Sequence, residues 1–266
     1  MKKIALFCGL LIITMLLCFF TSCKKSSSEV EKPVPKPIPT SVTDIDGNVY
    51  NVKRFDDKLW MTENLRVTRY DTETPRVHDT IYEATNEQGV DMQKPYFKDA
   101  RSFEESPFTD NLNTVSRNSL GLLYNWSAAA GTTVNNTTIK DTIQGICPNG
   151  WRLPTPADFE SLCNHFGGKE LAGKKLKSIS GWYMDSGTDE SEMCCYPAGL
   201  AIRNDVSFMG KQTIFWSSKS LPFNNSKAEA LKLFFGQDEA TLQGINKIQA
   251  NSVRCILDLN GSYIGF

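Results

Sequence analysis

The chain has 266 residues, with 29 Lys and Arg against 30 Asp and Glu, for a formal net charge of −1. That balance excludes the strongly basic surface on which nucleic-acid binding depends. Its two histidines, His78 and His165, stand far apart, and its 8 cysteines show no C-x-x-C spacing, so the ligand patterns of zinc sites are missing.

Met1-Lys2-Lys3 is followed by an almost unbroken apolar run over residues 4–20 and then by Thr21-Ser22-Cys23. The run is short for a membrane span. With small residues before the cysteine and polar sequence after it, residues 1–22 read as a lipoprotein signal peptide and Cys23 as the lipidated N-terminus. Residues 23–40 carry Lys24-Lys25-Ser26-Ser27-Ser28 and then Pro33, Pro35, Pro37 and Pro39 in alternation, the composition of an extended tether. The predicted location is therefore the cell envelope, lipid-anchored at the outer membrane. Lys24 and Lys25 leave open which face the domain occupies. Residues 41–266 are enough for one domain with a substantial core.

Within that domain, Asp46-Gly47-Asn48 predicts a turn into a strand at Val49, Tyr50 and Val52. Asp56-Asp57-Lys58 then turns the chain into Leu59-Trp60-Met61, which makes a short antiparallel hairpin. Residues 67–118 lose periodicity and read as a long variable insertion with isolated aromatics at Tyr82, Tyr96, Phe97, Phe103 and Phe108. Residues 119–130 predict a core helix through Leu122, Leu123 and Trp126, stopped by Gly131. After Cys147-Pro148-Asn149-Gly150-Trp151-Arg152-Leu153-Pro154, a second helix starts with Thr155 as N-cap, Pro156 at its first position and Asp158 facing the orphan N–H groups. Phe159, Leu162, Cys163 and Phe166 recur at helical spacing, and Gly167-Gly168 ends the element. Residues 171–177 predict a shorter helix, residues 183–192 a variable polar loop, and residues 193–200 a return to the core. Residues 214–218, 230–235 and 251–256 read as closing strands of an antiparallel sheet.

Several ordered blocks among these resemble one family. Asp46-Gly47-Asn48-Val49-Tyr50, residues 59–66, residues 123–129, residues 147–162, Ala172-Gly173-Lys174-Lys175-Leu176, Tyr196-Pro197-Ala198-Gly199, Phe215-Trp216-Ser217-Ser218 and Ser252-Val253-Arg254-Cys255 are similar to the Fibrobacter succinogenes major paralogous domain (FISUMP) family. The resemblance runs over residues 44–258. It implies a C-type-lectin-like α+β fold, with an antiparallel sheet and two to three short helices, on exported proteins with no established general activity. It further implies that Cys147 and Cys255, each in a family block, lie close enough to form a disulfide. Cys163, Cys194 and Cys195 depart from the family pattern. Cys163 can bridge to Cys194 or to Cys195, or all three can be small core residues.

The family resemblance bears on chemistry in three ways. Calcium-dependent C-type lectins use a Glu-Pro-Asn-like and a Trp-Asn-Asp segment, and neither occurs here. The formylglycine-generating enzymes have a related fold and active-site cysteines, but Cys194-Cys195 has no histidine or basic residue beside it in sequence to activate a thiolate. Trp60, Trp126, Trp151, Trp182 and Trp216 all fall in or beside scaffold blocks, where such rings serve as core. The sequence therefore predicts no catalytic, cofactor-binding or metal-binding residues and no cofactor. It predicts a non-catalytic recognition module that contacts a membrane through its lipid and presents loops 67–118 and 183–192 to a glycan or an envelope protein. Tyr82, Tyr96, Phe97, Tyr183 and Phe223 are the candidate ligand residues. The alternatives are a structural component of an envelope assembly and a cysteine-dependent enzyme with a reactive Cys194 or Cys195.

Overall fold

Asp44 begins the fold by organising the first turn. Its carboxylate accepts the N–H groups of Asp46 and Asn48 at 2.9 Å and the Tyr50 hydroxyl at 2.6 Å. This bends β1 (Ser41–Thr43) back onto β2 (Val49–Phe55), which pairs in turn with β3 (Lys58–Met61) in the hairpin that the sequence predicts. The next residue in this turn, Asp46, accepts from the Thr68 N–H and hydroxyl and from Arg69 Nε. Burial opposes ionisation of Asp46, but those bonds outweigh it and hold the carboxyl below its usual range.

The computed structural model describes residues 37–71, 80–84, 91–100, 115–132, 142–184 and 187–259. They belong to the unit Pro35–Phe266. The signal peptide, Cys23, most of the tether, Phe103, Phe108 and much of the 67–118 insertion lie outside the described residues.

Two expectations for the middle of the chain are corrected. The insertion contributes β4 (Tyr82–Glu83) and β5 (Tyr96–Asp99), which pair in parallel, and β5 pairs antiparallel with β6 (Leu122–Tyr124). The single helix predicted over 119–130 is instead a turn, α1 (Arg117–Leu120), then β6, then α2 (Trp126–Ala130). The break falls at Gly121. It adopts φ 68°, and a Cβ there would meet Asn64 Cβ at 2.6 Å. Tyr124 then trades both backbone hydrogen bonds with Asn251, and Asn125 caps α2 by accepting from the Ala128 N–H.

α3 (Pro156–His165) forms as predicted. Thr155 accepts from the Asp158 N–H while the Asp158 carboxylate takes the Thr155 N–H at 2.7 Å, a complete capping box. Asp158 also accepts from Arg152, whose guanidinium makes a second, bidentate pair with Asp258. The launching segment is thereby tied to β12 (Ile256–Asp258), which pairs with β3 and completes a sheet of order β1-β2-β3-β12. α4 (Lys169–Leu176) follows the predicted position, and its Gly173 lies so close to residue 239 that a Cβ would sit 2.3 Å from the Glu239 carbonyl oxygen.

β7 (Leu200–Ile202) and β8 (Asp205–Ser207) form a hairpin. β9 (Gln212–Ser220), β10 (Lys227–Phe234) and β11 (Ala240–Asn246) form an antiparallel sheet that divides two cores. Ile214, Trp216, Ala228 and Ala230 face a core containing Tyr50, Met61, Trp126 and Trp151. Phe215, Leu231 and Leu233 face the core of α3 and α4, with Phe159, Leu162, Cys163, Leu176 and Trp182. The alternation along β9 and β10 is what gives one sheet two apolar faces.

The fold class is thus α+β, as predicted, but with four helices and four small sheets among the described residues instead of one sheet and two to three helices. The predicted closing strands do not share one sheet. Asn251 and Ser252 make isolated bridges to Tyr124 and Phe215, and only β12 joins a sheet, the N-terminal one. β11 escapes the sequence reading because its outward residues are only half-buried and give weak alternation.

Candidate functional site

Cys147 and Cys255 are disulfide-bonded and fully buried. The second bridge does not form: Cys163, Cys194 and Cys195 are free thiols. Cys163 and Cys195 sit in the apolar core beside α3 and α4, and burial pushes each thiol up to about 11. Cys194 is half-exposed. Its N–H and thiol both donate to the Asp189 carboxylate, at 2.9 and 3.2 Å. Burial, and then the bond to Asp189, push that thiol up to about 12, which disfavours the thiolate that nucleophilic chemistry needs. The described histidine, His165, faces Asp56 at 3.1 Å instead, and His78 lies outside the described residues.

All five tryptophans are buried, in agreement with their reading as core. Trp126, Trp182 and Trp216 donate their indole N–H to the carbonyls of Ser217, Cys195 and Tyr124. Two candidate ligand residues are corrected for the same reason. Tyr96 and Phe97 are 1% and 7% exposed, because they belong to two different cores, Tyr96 to that of Leu123, Ala198 and Ala250 and Phe97 to that of Leu122 and Tyr124. Tyr82 is exposed on β4, and Phe223 is fully exposed at the tip of the β9–β10 hairpin. Tyr183 is half-buried at the other end of that hairpin.

Around Tyr183, three turns converge. Its N–H donates to the Gly210 carbonyl at 2.7 Å, and Phe235 N–H donates to Lys211 carbonyl at 2.8 Å. Residues 181–184, 208–211 and 234–237 therefore lie side by side where β9 begins and β10 ends. Lys177, wholly buried at the end of α4, supports this arrangement from beneath. Its Nζ donates to the Gln237 carbonyl at 2.9 Å and lies 5.2 Å from the Trp182 ring centre. Tyr183 and Phe235 meet edge to face at 5.5 Å, and Phe234 follows at 4.8 Å from Phe235. Two ammonium groups accompany the rings. Lys211 Nζ lies 5.1 Å from the Tyr183 centre and 6.0 Å from Phe235, while Lys232 Nζ lies 4.7 Å from Phe234. Met184 and Phe208 stand exposed at the same turns, both with positive φ. Such backbone is strained for bulky residues and persists where the surroundings determine it.

Sequence reasoning finds Tyr183 but misses Lys211, Lys232, Phe234 and Phe235, since Phe234-Phe235 reads as the end of a buried strand. The signal present was Gly236, which marks where the strand stops and the aromatics reach the surface. Lys247 is also missed. It is buried, its Nζ is 4.3 Å from the Trp126 ring centre, and burial pulls its pKa down to about 8. Among the described residues no group of three His, Cys, Asp or Glu is placed to hold a metal ion. No described helix is long and apolar enough to cross a membrane.

No curated protein and no solved structure matches the chain. The polar residues of the ordered sequence blocks are scaffold: Asn64, Asn125, Ser252 and Arg254 are buried and hydrogen-bonded across elements distant in sequence, and buried Asp158 bonds Arg152 and the Thr155 cap. The family model described as the Fibrobacter succinogenes major domain matches residues 54–257, most of the chain, from the end of β2 into β12, and the protein belongs to that family.

Proposed function

We propose that this is a lipid-anchored cell-envelope protein whose domain is a non-catalytic recognition module for a glycan, bound at the face of Tyr183, Phe234 and Phe235. The observation that carries the proposal is the convergence of three half-buried rings on turns that are braced by backbone hydrogen bonds and by the buried Lys177. Sugar rings stack on such faces through their C–H bonds, and a braced face binds with little ordering cost. The pairing of β3 with β12, which brings both ends of the domain into one sheet, supports the C-type-lectin-like scaffold that the family resemblance implies. Acylation at Cys23, with the proline-rich tether joining the lipid to the domain, belongs to the same proposal.

A second reading, a structural component of an envelope assembly, is favoured by Phe223. This fully exposed ring stands on the hairpin tip remote from the aromatic face. A glycan array probed with the full chain in detergent separates the two. Glycan binding that Tyr183→Ala or Phe235→Ala weakens about tenfold or more, the order expected for losing one buried ring, supports the module. Stable copurifying envelope proteins lost in Phe223→Ser, with a blank array, support the assembly reading and sink the module.

A further inference from the structure

At the end of the sheet opposite the aromatic face, β9 turns into β10 through residues 221–226, and the turn is well bonded. Leu221 N–H donates to the Lys227 carbonyl at 3.0 Å, Lys227 N–H donates to the Asn224 carbonyl at 2.9 Å, and Asn224 Oδ1 accepts the Ser226 N–H and hydroxyl. Leu221 packs on β11, where a Cβ on Gly244 would meet its Cδ1 at 2.5 Å. Pro222 and Phe223 are left at the apex, with the Phe223 ring fully exposed.

A single exposed ring says little by itself, and the charge around this one is the second observation. No Asp or Glu occurs in residues 206–228 or 240–257, so neither the hairpin tip nor the end of β11 beside it carries an acid. Lys219 and Lys227 flank the turn, one on each strand, and among the described residues neither ammonium makes an ion pair or a ring contact. Glu229, the first acid beyond the turn, accepts from Ser217 through its backbone carbonyl and pairs with neither lysine. A chain of net charge −1 is thus locally cationic here. A ring at the apex with ammonium groups set back on both strands suits an anionic lipid surface. The ring enters the acyl boundary while the lysines stay level with the phosphates. An acidic protein could also cover Phe223, but a bilayer is the surface that lipidation keeps close. The tether over residues 23–40 spans about 55 Å when extended, long enough to bring this tip to it.

We infer that the β9–β10 hairpin tip docks in an anionic phospholipid surface, with Phe223 in the acyl boundary and Lys219 and Lys227 on the phosphates. β9 and β10 then hold Tyr183, Phe234 and Phe235 about 25–30 Å from the tip, clear of the lipid. The inference rests on the lipid-anchor reading above and is independent of the glycan.

The test uses the acylated full chain, purified from its own membranes and reconstituted into vesicles of phosphatidylethanolamine and phosphatidylglycerol with brominated acyl chains. Brominated phosphatidylcholine alone is the uncharged comparison, and flotation with the vesicles reports the anchor. All five native tryptophans are buried, so Phe223→Trp adds a reporter at the tip and Met184→Trp one at the opposite end of the sheet. Bromine quenching and a blue-shifted emission should appear for Phe223→Trp and not for Met184→Trp. Both signals should weaken in phosphatidylcholine, at high salt, and when Lys219→Gln and Lys227→Gln are added. Melting temperature is the fold control for each variant. A chain that floats with neither reporter quenched would overturn the inference and leave the anchor standing. Equal quenching of the two reporters would show mere proximity and overturn it too, as would quenching at the tip that the lysine replacements leave unchanged. Position 223 shielded from bromine but crosslinked to a copurifying protein would make the tip a protein contact, against the inference. A chain that neither floats nor is quenched would overturn the anchor as well.

Discussion

Arg254 is almost wholly buried, and among the described residues no carboxylate is bonded to it. Asn64 Oδ1 accepts from its Nε at 2.9 Å, and the carbonyls of Met193 and Cys194 take its other groups, with Phe215 5.1 Å beneath. Asn64 in turn donates to the Leu120 carbonyl and to Ser252 Oγ. Asn64→Ala would leave the buried Arg254 Nε–H and two acceptors unpaired together, and it should destabilise the domain by about 3 kcal/mol or more in denaturant titration. A loss below about 1 kcal/mol would show that water or a shifted carbonyl replaces the amide.

Ionisable groups buried nearby give stability a pH dependence whose sign can be worked out. The three free thiols are all raised in the folded state, from 9.0 to about 11 or 12. Above pH 9 the unfolded chain releases those protons first, so stability falls as pH rises from 9 toward 11. Lys247 acts in the opposite direction, since its folded pKa of about 8 lies below the ordinary 10.5. Between pH 8 and 10.5 the unfolded chain binds more protons at this group, and stability rises with pH. Burial also raises Tyr50, Tyr96, Tyr124 and Tyr196 above the ordinary 10.0, which adds to the fall near pH 10 and beyond, so the net slope above pH 9 should be downward in urea melts. Replacing Cys163, Cys194 and Cys195 by Ala should make it shallower between pH 9 and 10. A slope unchanged by the triple replacement would show that the thiols are not its source.

At the scale of elements, the division of residues 117–130 into α1, β6 and α2 turns on Gly121. Helix propensity across Leu122, Leu123 and the three alanines favours one continuous helix, and the structure overrides it. The chain gains instead the Tyr124–Asn251 pairing and the Leu122 N–H bond to the Leu65 carbonyl. Gly121→Ala would add both a left-handed conformation and a Cβ 2.8 Å from the Leu65 carbonyl oxygen. It should cost about 2–3 kcal/mol and loosen β5, with increased amide exchange at Phe97 and Lys98. α3 is a simpler case, because its start signal and its apolar stripe agree. There Thr155→Ala should cost about 1 kcal/mol, measured by the same titration, and leave the rest of the fold in place.

For the whole molecule, the Cys147–Cys255 disulfide closes a loop of sequence separation 108, which contains α3, α4 and β7 to β11. On the chain-entropy model its loss should lower stability by about 4–5 kcal/mol. The measurement is denaturant unfolding of the Cys147→Ser, Cys255→Ser double variant against the oxidised chain. A difference under about 1 kcal/mol would mean that β12 pairing and the Arg152 pairs already restrain the same loop in the unfolded ensemble.

Local signals were sufficient for the elements whose causes lie within a few residues. The turn at Asp46-Gly47-Asn48, the hairpin after it, the Thr155 cap and the stripe of α3 could all be read from the chain, because capping and amphipathicity act over one or two turns. The family blocks likewise pointed to the membership of the chain and to the pairing of Cys147 with Cys255. Tertiary structure alone decided which aromatics are surface and which are core. Tyr96 and Tyr183 look alike in sequence, but one lies in the core with Leu123, Ala198 and Ala250 and the other stands where three turns meet. It also decided that Phe234 and Phe235, the end of an apolar run, emerge beside Lys211 and Lys232. Burial depends on which distant segments arrive at the same place, and no spacing along residues 181–237 records that β9 begins where β10 ends.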